Sequence, residues 1–306
     1  MNITLFISKF TDEIACKEHF RDVRIKQGVI CKKCGCISHY WLGSKWQFEC
    51  KDCHFRTTLR SGTMMENSNL PFKVWYMTIF FMTLTKKGIS ACEMQRQLNY
   101  RRYKTIWALM HRIRSFMGRR EDLYSLSDMI EFDEGFFKTA CKQIERNNLK
   151  RGKGSQRVEN VGVLAESTPL ENIEDGTISN HCRYFKMKAL DTQKAESVND
   201  FLQKNVSSDS IIISDMATNY KDIHKHFQEH LTEKSSKKTT KKKLRWVHIA
   251  IANAKRNFSG VNHKVDVNYL QNYLDEFTYK LNRRFCKDLF ERVFIAGVYP
   301  YWYKSA

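Results

Sequence analysis

The stretch MIEFDEGFF, residues 129–137, reads as a β-strand, because Ile130, Phe132, Phe136 and Phe137 favour extended backbone and polar turns flank them. Yet Glu131, Asp133 and Glu134 set three carboxylates into it. Taking an unpaired carboxylate out of water costs several kcal/mol. A strand that carries three of them calls for a cation.

Working outward, RVENVGVLAES (157–167) and CRYFKMKAL (182–190) read as two further strands. TQKAESVNDFLQKN (192–205) is a helix that precedes a short apolar strand, SIIISD (210–215). A helical region including ATNYKDIHKHFQEH (217–230) follows, then a lysine-rich loop, a strand LRWVHI (244–249) and helices from Ala250 onward. Three strands followed by alternating helix and strand predict an α/β fold with a mixed sheet of the ribonuclease H type. Parallel strands joined by helical crossovers gather their C-terminal ends around one crevice. Asp215 closes such a strand, and Asp133 lies in the first strand, which runs beside the fourth in this fold.

Two carboxylates brought together from distant positions repel unless a cation joins them. Oxygen ligands point to Mg2+ or Mn2+ rather than zinc. A pair of such ions can activate a water or hydroxyl and stabilise the leaving oxygen of a phosphodiester. Spacing alone leaves ordinary roles open: Asp133 as a salt-bridged strand residue, Asp215 as a helix N-cap.

Charge points the same way. The 306 residues carry 52 Lys and Arg against 33 Asp and Glu, a formal +19, which suits a polyanionic partner, nucleic acid first. With 42% hydrophobic residues the chain is not wholesale disordered. Asp12 and Glu13 stand where an export signal needs its apolar core, and VWYMTIFFMTL (74–84) is shorter than the ~20 residues of a membrane span. The expected location is the cytoplasm, on the nucleoid through DNA, with no membrane partner and the ten cysteines reduced or bound to metal.

CKKCGC (31–36) and CKDC (50–53) form two CxxC pairs separated by fifteen residues. Each pair makes a knuckle, and Gly35 allows the tight turn after the second sulfur. Cys31, Cys34, Cys50 and Cys53 then complete a four-thiolate zinc ribbon whose metal is structural, a rubredoxin-like iron site or disulfides being the alternatives, with Cys36 as a fifth sulfur that could compete with Cys34. Nearby Lys32, Lys33, Lys45, Lys51, Arg56 and Arg60 interleave with Tyr40, Trp41 and Trp46, which suits a nucleic-acid surface or the core of a small domain.

Between ribbon and strands, Pro71 opens an apolar helix to Thr85, and Ser90 with Glu93 is a capping box for a short helix to Leu98. KTIWALMHRIRSFM (104–117) is a third helix, with Ile106, Leu109, Met110 and Ile113 on one face and Lys104, His111, Arg112 and Arg114 mostly on others. Three helices with a basic third resemble a helix-turn-helix, although a plain three-helix unit fits as well. The expected division is residues 1–62 for an N-terminal helix and zinc ribbon, 63–126 for a helical DNA-binding domain, and 127–306 for the ribonuclease H-like domain with C-terminal helices.

Taken in order, CKKCGC…CKDC, KKGISACEMQRQLNYRRYKTIWALMHRIR, IEFDEGFF, ISDMATNY, WVHIAIANAKRNFSG and YLDEFTYKLNRRF resemble the bacterial zinc-ribbon insertion-sequence transposases related to the eukaryotic Merlin elements. The resemblance covers roughly residues 10 to 290 and implies a DDE-type recombinase. Carried over by position, Asp133 is the first metal ligand and Asp215 the second, with Glu134 in reserve. Members with a full acidic triad place Glu five residues after a His; here Asn253 stands five after His248, so the resemblance implies a third ligand at Asn253. Lys255 could contact phosphate or orient the nucleophile, and Asp275 or Glu276 could supply missing charge if the last helices fold over the site. The implied protein binds double-stranded DNA, both the inverted ends of its element and the target. It holds two Mg2+ or Mn2+ ions and works as a dimer or higher oligomer. The basic runs KSSKKTTKKK (234–243) and KQIERNNLKRGKGSQR (142–157) would lie along phosphates. A regulator or domesticated transposase that binds without cutting, and a ribonuclease H-like nuclease or resolvase, are the rival readings.

Overall fold

In a computed structural model of the chain, the described residues are 1–140, 155, 157–168, 170–171, 176, 178–179, 182–190, 192, 194–220, 222–233 and 244–298. The run 234–243 and nearly all of 142–157 lie outside them. The chain divides into two compact units, Met1–Met117 with Phe285–Ala306, and Gly118–Arg284.

The first unit begins with α1 (Ile3–Lys9) and α2 (Glu13–Gln27). Each is capped by its own preceding side chain: Asn2 accepts from the Leu5 N–H and Asp12 from the Ala15 N–H, both at 2.8 Å. Three short strands follow, β1 (His39–Leu42), β2 (Gln47–Cys50) and β3 (Arg56–Thr58), in an antiparallel sheet of that order. Next come α3 (Phe72–Leu84) after Pro71, α4 (Ala91–Gln97) capped by Ser90, and α5 (Tyr103–Asp122), which continues into the second unit. The three expected helices therefore form, the last one longer than the pattern foretold. His111 and Arg114, expected mostly on faces other than the apolar one, are buried at 6% and 2% exposure, so the basic residues that α5 leaves exposed lie at its two ends, Lys104 and Arg119.

The second unit holds β4 (Met129–Ala140), β5 (Val158–Glu166), a two-residue pair β6 (Leu170–Glu171) and β7 (Ile178–Ser179), and β8 (Phe185–Ala189). Then follow α6 (Ala195–Asn205), β9 (Ile211–Asp215), β10 (Glu229–Glu233), α7 (Arg245–Val261), β11 (Val265–Asp266) and α8 (Leu270–Asn282). The sheet order is β10-β9-β4-β5-β8, with β11 added to β4. β4, β5 and β8 are antiparallel neighbours, while β9 and β10 run parallel to β4. That is the expected ribonuclease H-like mixed sheet, with the first strand beside the fourth.

Alternation along β4 assigns its two faces. Ile130 and Phe132 pack with Val198, Phe201, Leu202 and Ile212 on one side. Phe137 packs with Val161, Val163, Ile213, Val247, Ala250 and Ile251 on the other. Gly135 belongs to this second face, and a Cβ there would stand 3.3 Å from Ile251, so glycine lets α7 lie close against the strand.

Two local expectations are corrected. Residues 217–230 form two 3-10 turns, Thr218–Tyr220 and Ile223–Lys225, before β10 begins, because the edge of β9 recruits a strand there. LRWVHI is not a strand but the start of α7: Val247, Ala250, Ile251, Ala254 and Phe258 recur at helical spacing and fill the core, overriding the β-propensity of Trp, Val and Ile.

After α8 the chain returns to the first unit as α9 (Leu289–Val298). There Phe290 and Phe294 join an aromatic core in which Phe6 stacks on Phe80 at 4.2 Å and Tyr76 lies 4.3 Å from Phe294. The expected third domain thus gives up its last helix. The partner rings lie hundreds of residues upstream, where no local pattern announces them.

Candidate active site and thiolate centre

In the first unit, one sulfur from each of Cys31, Cys34, Cys50 and Cys53 lies within 4.8 Å of all the others. The closest contacts are Cys31–Cys53 and Cys34–Cys50, both 3.5 Å. Four thiolates around zinc at about 2.3 Å stand roughly 3.8 Å apart, so the donor set and spacing fit that ion. Each knuckle turns through a left-handed residue just after its second cysteine, Gly35 at φ +76° and His54 at φ +56°. The Cys53 and Asp52 backbone N–H groups directed at the Cys50 sulfur bring its thiol down to about 6. Cys36 stays outside the cluster and accepts from the Ser38 N–H at 3.2 Å. The nine cysteines among the described residues form no disulfide.

In the second unit, β4 and β9 pair in parallel from Met129↔Ile211 to Glu131↔Ile213. Two residues further along each strand stand Asp133 and Asp215, on the face that α7 covers. Burial raises the Asp133 carboxyl above its ordinary value, and the negative charges of Asp215 and Glu134 raise it further. The Glu134 N–H, donating to Asp133 Oδ1 at 2.7 Å, and the nearby His248 act against that rise. Asp215 Oδ1 accepts from the Ala217 N–H at 3.3 Å, which fixes the turn after β9.

His248 is the residue that α7 presents to the pair: its Nδ1 lies 3.5 Å from Asp133 Oδ2. Lys255 follows two helical turns later, so it shares that side of the helix, with Nζ 5.7 Å from the Phe137 ring centre. Asn253 is turned elsewhere. Five residues rotate it about 140° from His248, and its Oδ1 accepts from Arg256 at 2.6 Å.

The remaining acids have other partners. Glu134 accepts from Asn160 Nδ2 at 2.8 Å. Glu131 is buried at 3% exposure, and its Oε2 accepts from the Trp246 and Val247 N–H groups at 2.7 and 3.1 Å. Burial lifts its carboxyl to about 7, against the pull of those two donors. Asp275 accepts from Gln271 at 2.7 Å and lines a small cavity of about 30 Å³ with Glu121, Asp122 and Lys188. Glu276 pairs with Lys280 at 3.5 Å.

Sequence reasoning took His248 only as the landmark for Asn253, and Glu131 only as one of three strand carboxylates. The usable signal was the seven-residue interval from His248 to Lys255, which reads as one helix face only once 244–249 is taken as helix. For Glu131 there was no signal, since its partners are backbone groups more than a hundred residues away.

Residues 125–282 match the ISXO2-like transposase domain, and residues 11–56 the transposase zinc-ribbon domain. The thiolate cluster is therefore the structural zinc site of such a ribbon. An uncharacterized protein in transposable element ISH50 of Halobacterium salinarum is 26% identical over 152 residues, covering 48% of this chain and 50% of that protein. The chain thus spans about half the length of that relative. Among the described residues no helix is long and apolar enough to cross a membrane. With more than half its length matched by the transposase domain, the chain belongs to the family of ISXO2-like transposases.

Proposed function

We propose that the protein cuts DNA at the ends of an insertion element and joins those ends to target DNA. Water attacks the phosphodiester at each end and its 3′-oxygen leaves as a hydroxyl. That hydroxyl then attacks a target phosphodiester, forming a new P–O bond and expelling the target's 3′-oxygen. The single observation that supports this reading is that Asp133 and Asp215 both stand two residues beyond the paired stretch of adjacent parallel strands, with the Asp215 charge acting on the buried Asp133 carboxyl.

Asp133 and Asp215 would hold Mg2+ or Mn2+, with His248 rather than Asn253 as the third donor, and such ions supply Lewis-acid activation of the phosphodiester when bound. The donor chemistry fits: the Asp133 carboxyl, whose proton affinity is raised by burial and by the Asp215 charge, is relieved by a divalent cation. His248 offers a neutral nitrogen, while Asn253 is engaged by Arg256. Lys255, on the His248 side of α7, is suited to a phosphate oxygen. The zinc ribbon and the basic N-terminal end of α5 would hold the element ends. Because two ends must be joined in one reaction, the working form would be at least a dimer.

The test is metal-dependent cleavage and joining of a labelled element end to plasmid DNA. Asp133→Ala and Asp215→Ala should lose both steps and keep end binding. Retained cleavage in either variant would overturn the assignment. Binding without cleavage in the wild type, with either metal, would favour the non-cutting regulator.

A further inference from the structure

α7 carries His248 and Lys255, yet its own sequence does not cap it. Its N-cap is Leu244, whose side chain accepts no hydrogen bond. An N-cap side chain normally satisfies the N–H groups of the second and third helical residues. Here those are Trp246 and Val247, and both donate to Glu131 Oε2. A strand residue therefore does the work of the missing cap.

This bond sits at one end of a series of contacts that set α7 against β4. Glu131 meets Trp246 and Val247, Asp133 meets His248, the Gly135 position meets Ile251, and Phe137 meets Lys255 and Phe258. Strand and helix advance in the same direction along the series. The apolar contacts resist separation of the two elements, but they are soft against sliding. The Glu131 bonds are directional and lie in the turn immediately before His248.

We propose that Glu131 is a positioning residue, a cap in trans that fixes the register of α7 on β4 and so sets His248 against Asp133. It touches neither DNA nor reacting atoms. The part about catalysis rests on the functional reading above, whereas the part about the helix does not.

The experiment compares Glu131→Gln, Glu131→Asp and Glu131→Ala in the full chain by two readouts. One is amide hydrogen exchange across 244–258, and the other is metal-dependent cleavage of a pre-bound element end, with end affinity measured alongside. Gln keeps an acceptor at the same reach. Asp keeps the charge but withdraws it by about 1.5 Å. Ala removes both. The expected order of cleavage rate is wild type, Gln, Asp, Ala, with Ala at least tenfold down and end affinity unchanged. Faster exchange should appear at 246–248 in Asp and Ala while 250–258 stays protected. If Ala does not fold, the order of Gln above Asp decides. Protected amides at 246–248 in Asp, or cleavage in Asp equal to wild type, would overturn the proposal. Absence of cleavage in the wild type would instead sink the functional reading, and exchange alone would then decide the cap.

Discussion

His248 Nδ1 lies 3.5 Å from Asp133 Oδ2, so a helix residue and a strand residue 115 positions apart share one polar pocket. The first prediction separates the two candidates for the third position. His248→Ala should lower cleavage by ~100-fold or more, since even outer partners of a metal ligand are worth 10–100-fold. Asn253→Ala should stay within a few-fold of wild type. Imidazole is a softer donor than carboxylate, so the wild type should favour Mn2+ over Mg2+, and His248→Glu should move that preference toward Mg2+. Initial cleavage rates in each metal measure all three variants.

The contrast shows what the chain discloses. The thiolate site was legible because its ligands lie within 23 residues and their spacing is imposed by tetrahedral chemistry. The place of the first strand beside the fourth followed from the order of strands and crossovers, whereas β10 and β11 went unread. Asp133 and Asp215 were legible as acids set in apolar strands, one inside β4 and one at the end of β9, where apolar neighbours make a carboxylate conspicuous. His248 was not, because Trp246, Val247 and Ile249 give α7 a strand-like beginning and only core packing makes it a helix. Nor was the position of α9, whose aromatic partners come from α1, α2 and α3.

Zinc removal supplies the next prediction. Cys34→Ser should lose the metal and the ribbon's fold, while Cys36→Ser should keep one zinc per chain, because the Cys36 sulfur bonds Ser38 outside the cluster. Metal content by mass spectrometry under native conditions distinguishes them. Equal loss in both would place Cys36 among the ligands.

A third prediction concerns pH. Burial raises the Asp275 carboxyl from an ordinary 3.8 to about 7. The folded protein therefore keeps this proton where the unfolded chain releases it. The resulting stability is fully present below about pH 4 and is lost as pH rises through about 7. At roughly 1.4 kcal/mol per unit the loss amounts to about 4 kcal/mol at most. Asp275→Asn keeps the shape without the charge. It should match wild type in thermal unfolding near pH 4, exceed it increasingly as pH rises, and exceed it most at pH 8. Parallel pH profiles of the two proteins would show the shift to be absent.

The last prediction concerns the basic turn before α5. Across residues 86–120, Glu93 is the sole acid against ten Lys and Arg. His111 and Arg114 are buried, and Arg112 donates to the Glu66 carbonyl, so the middle of α5 is committed to packing. Arg101, Arg102 and Lys104 remain exposed at its N-terminal end. The turn that presents them is held by Gln95, which donates to the Tyr100 and Arg101 carbonyls at 3.0 and 3.2 Å. Cations fixed on a rigid turn lose less side-chain freedom on meeting phosphate than cations on a mobile loop. Each phosphate contact contributes about 0.9 to the slope of log affinity against log salt. Replacing all three residues with Ala should therefore weaken end binding and flatten that slope by about 2 to 3, leaving thermal unfolding unchanged. Arg114→Ala should do the reverse, lowering the unfolding temperature with little change in slope. Anisotropy titrations at several salt concentrations read both effects, and an unchanged slope in the triple variant would place the DNA contact elsewhere on the unit.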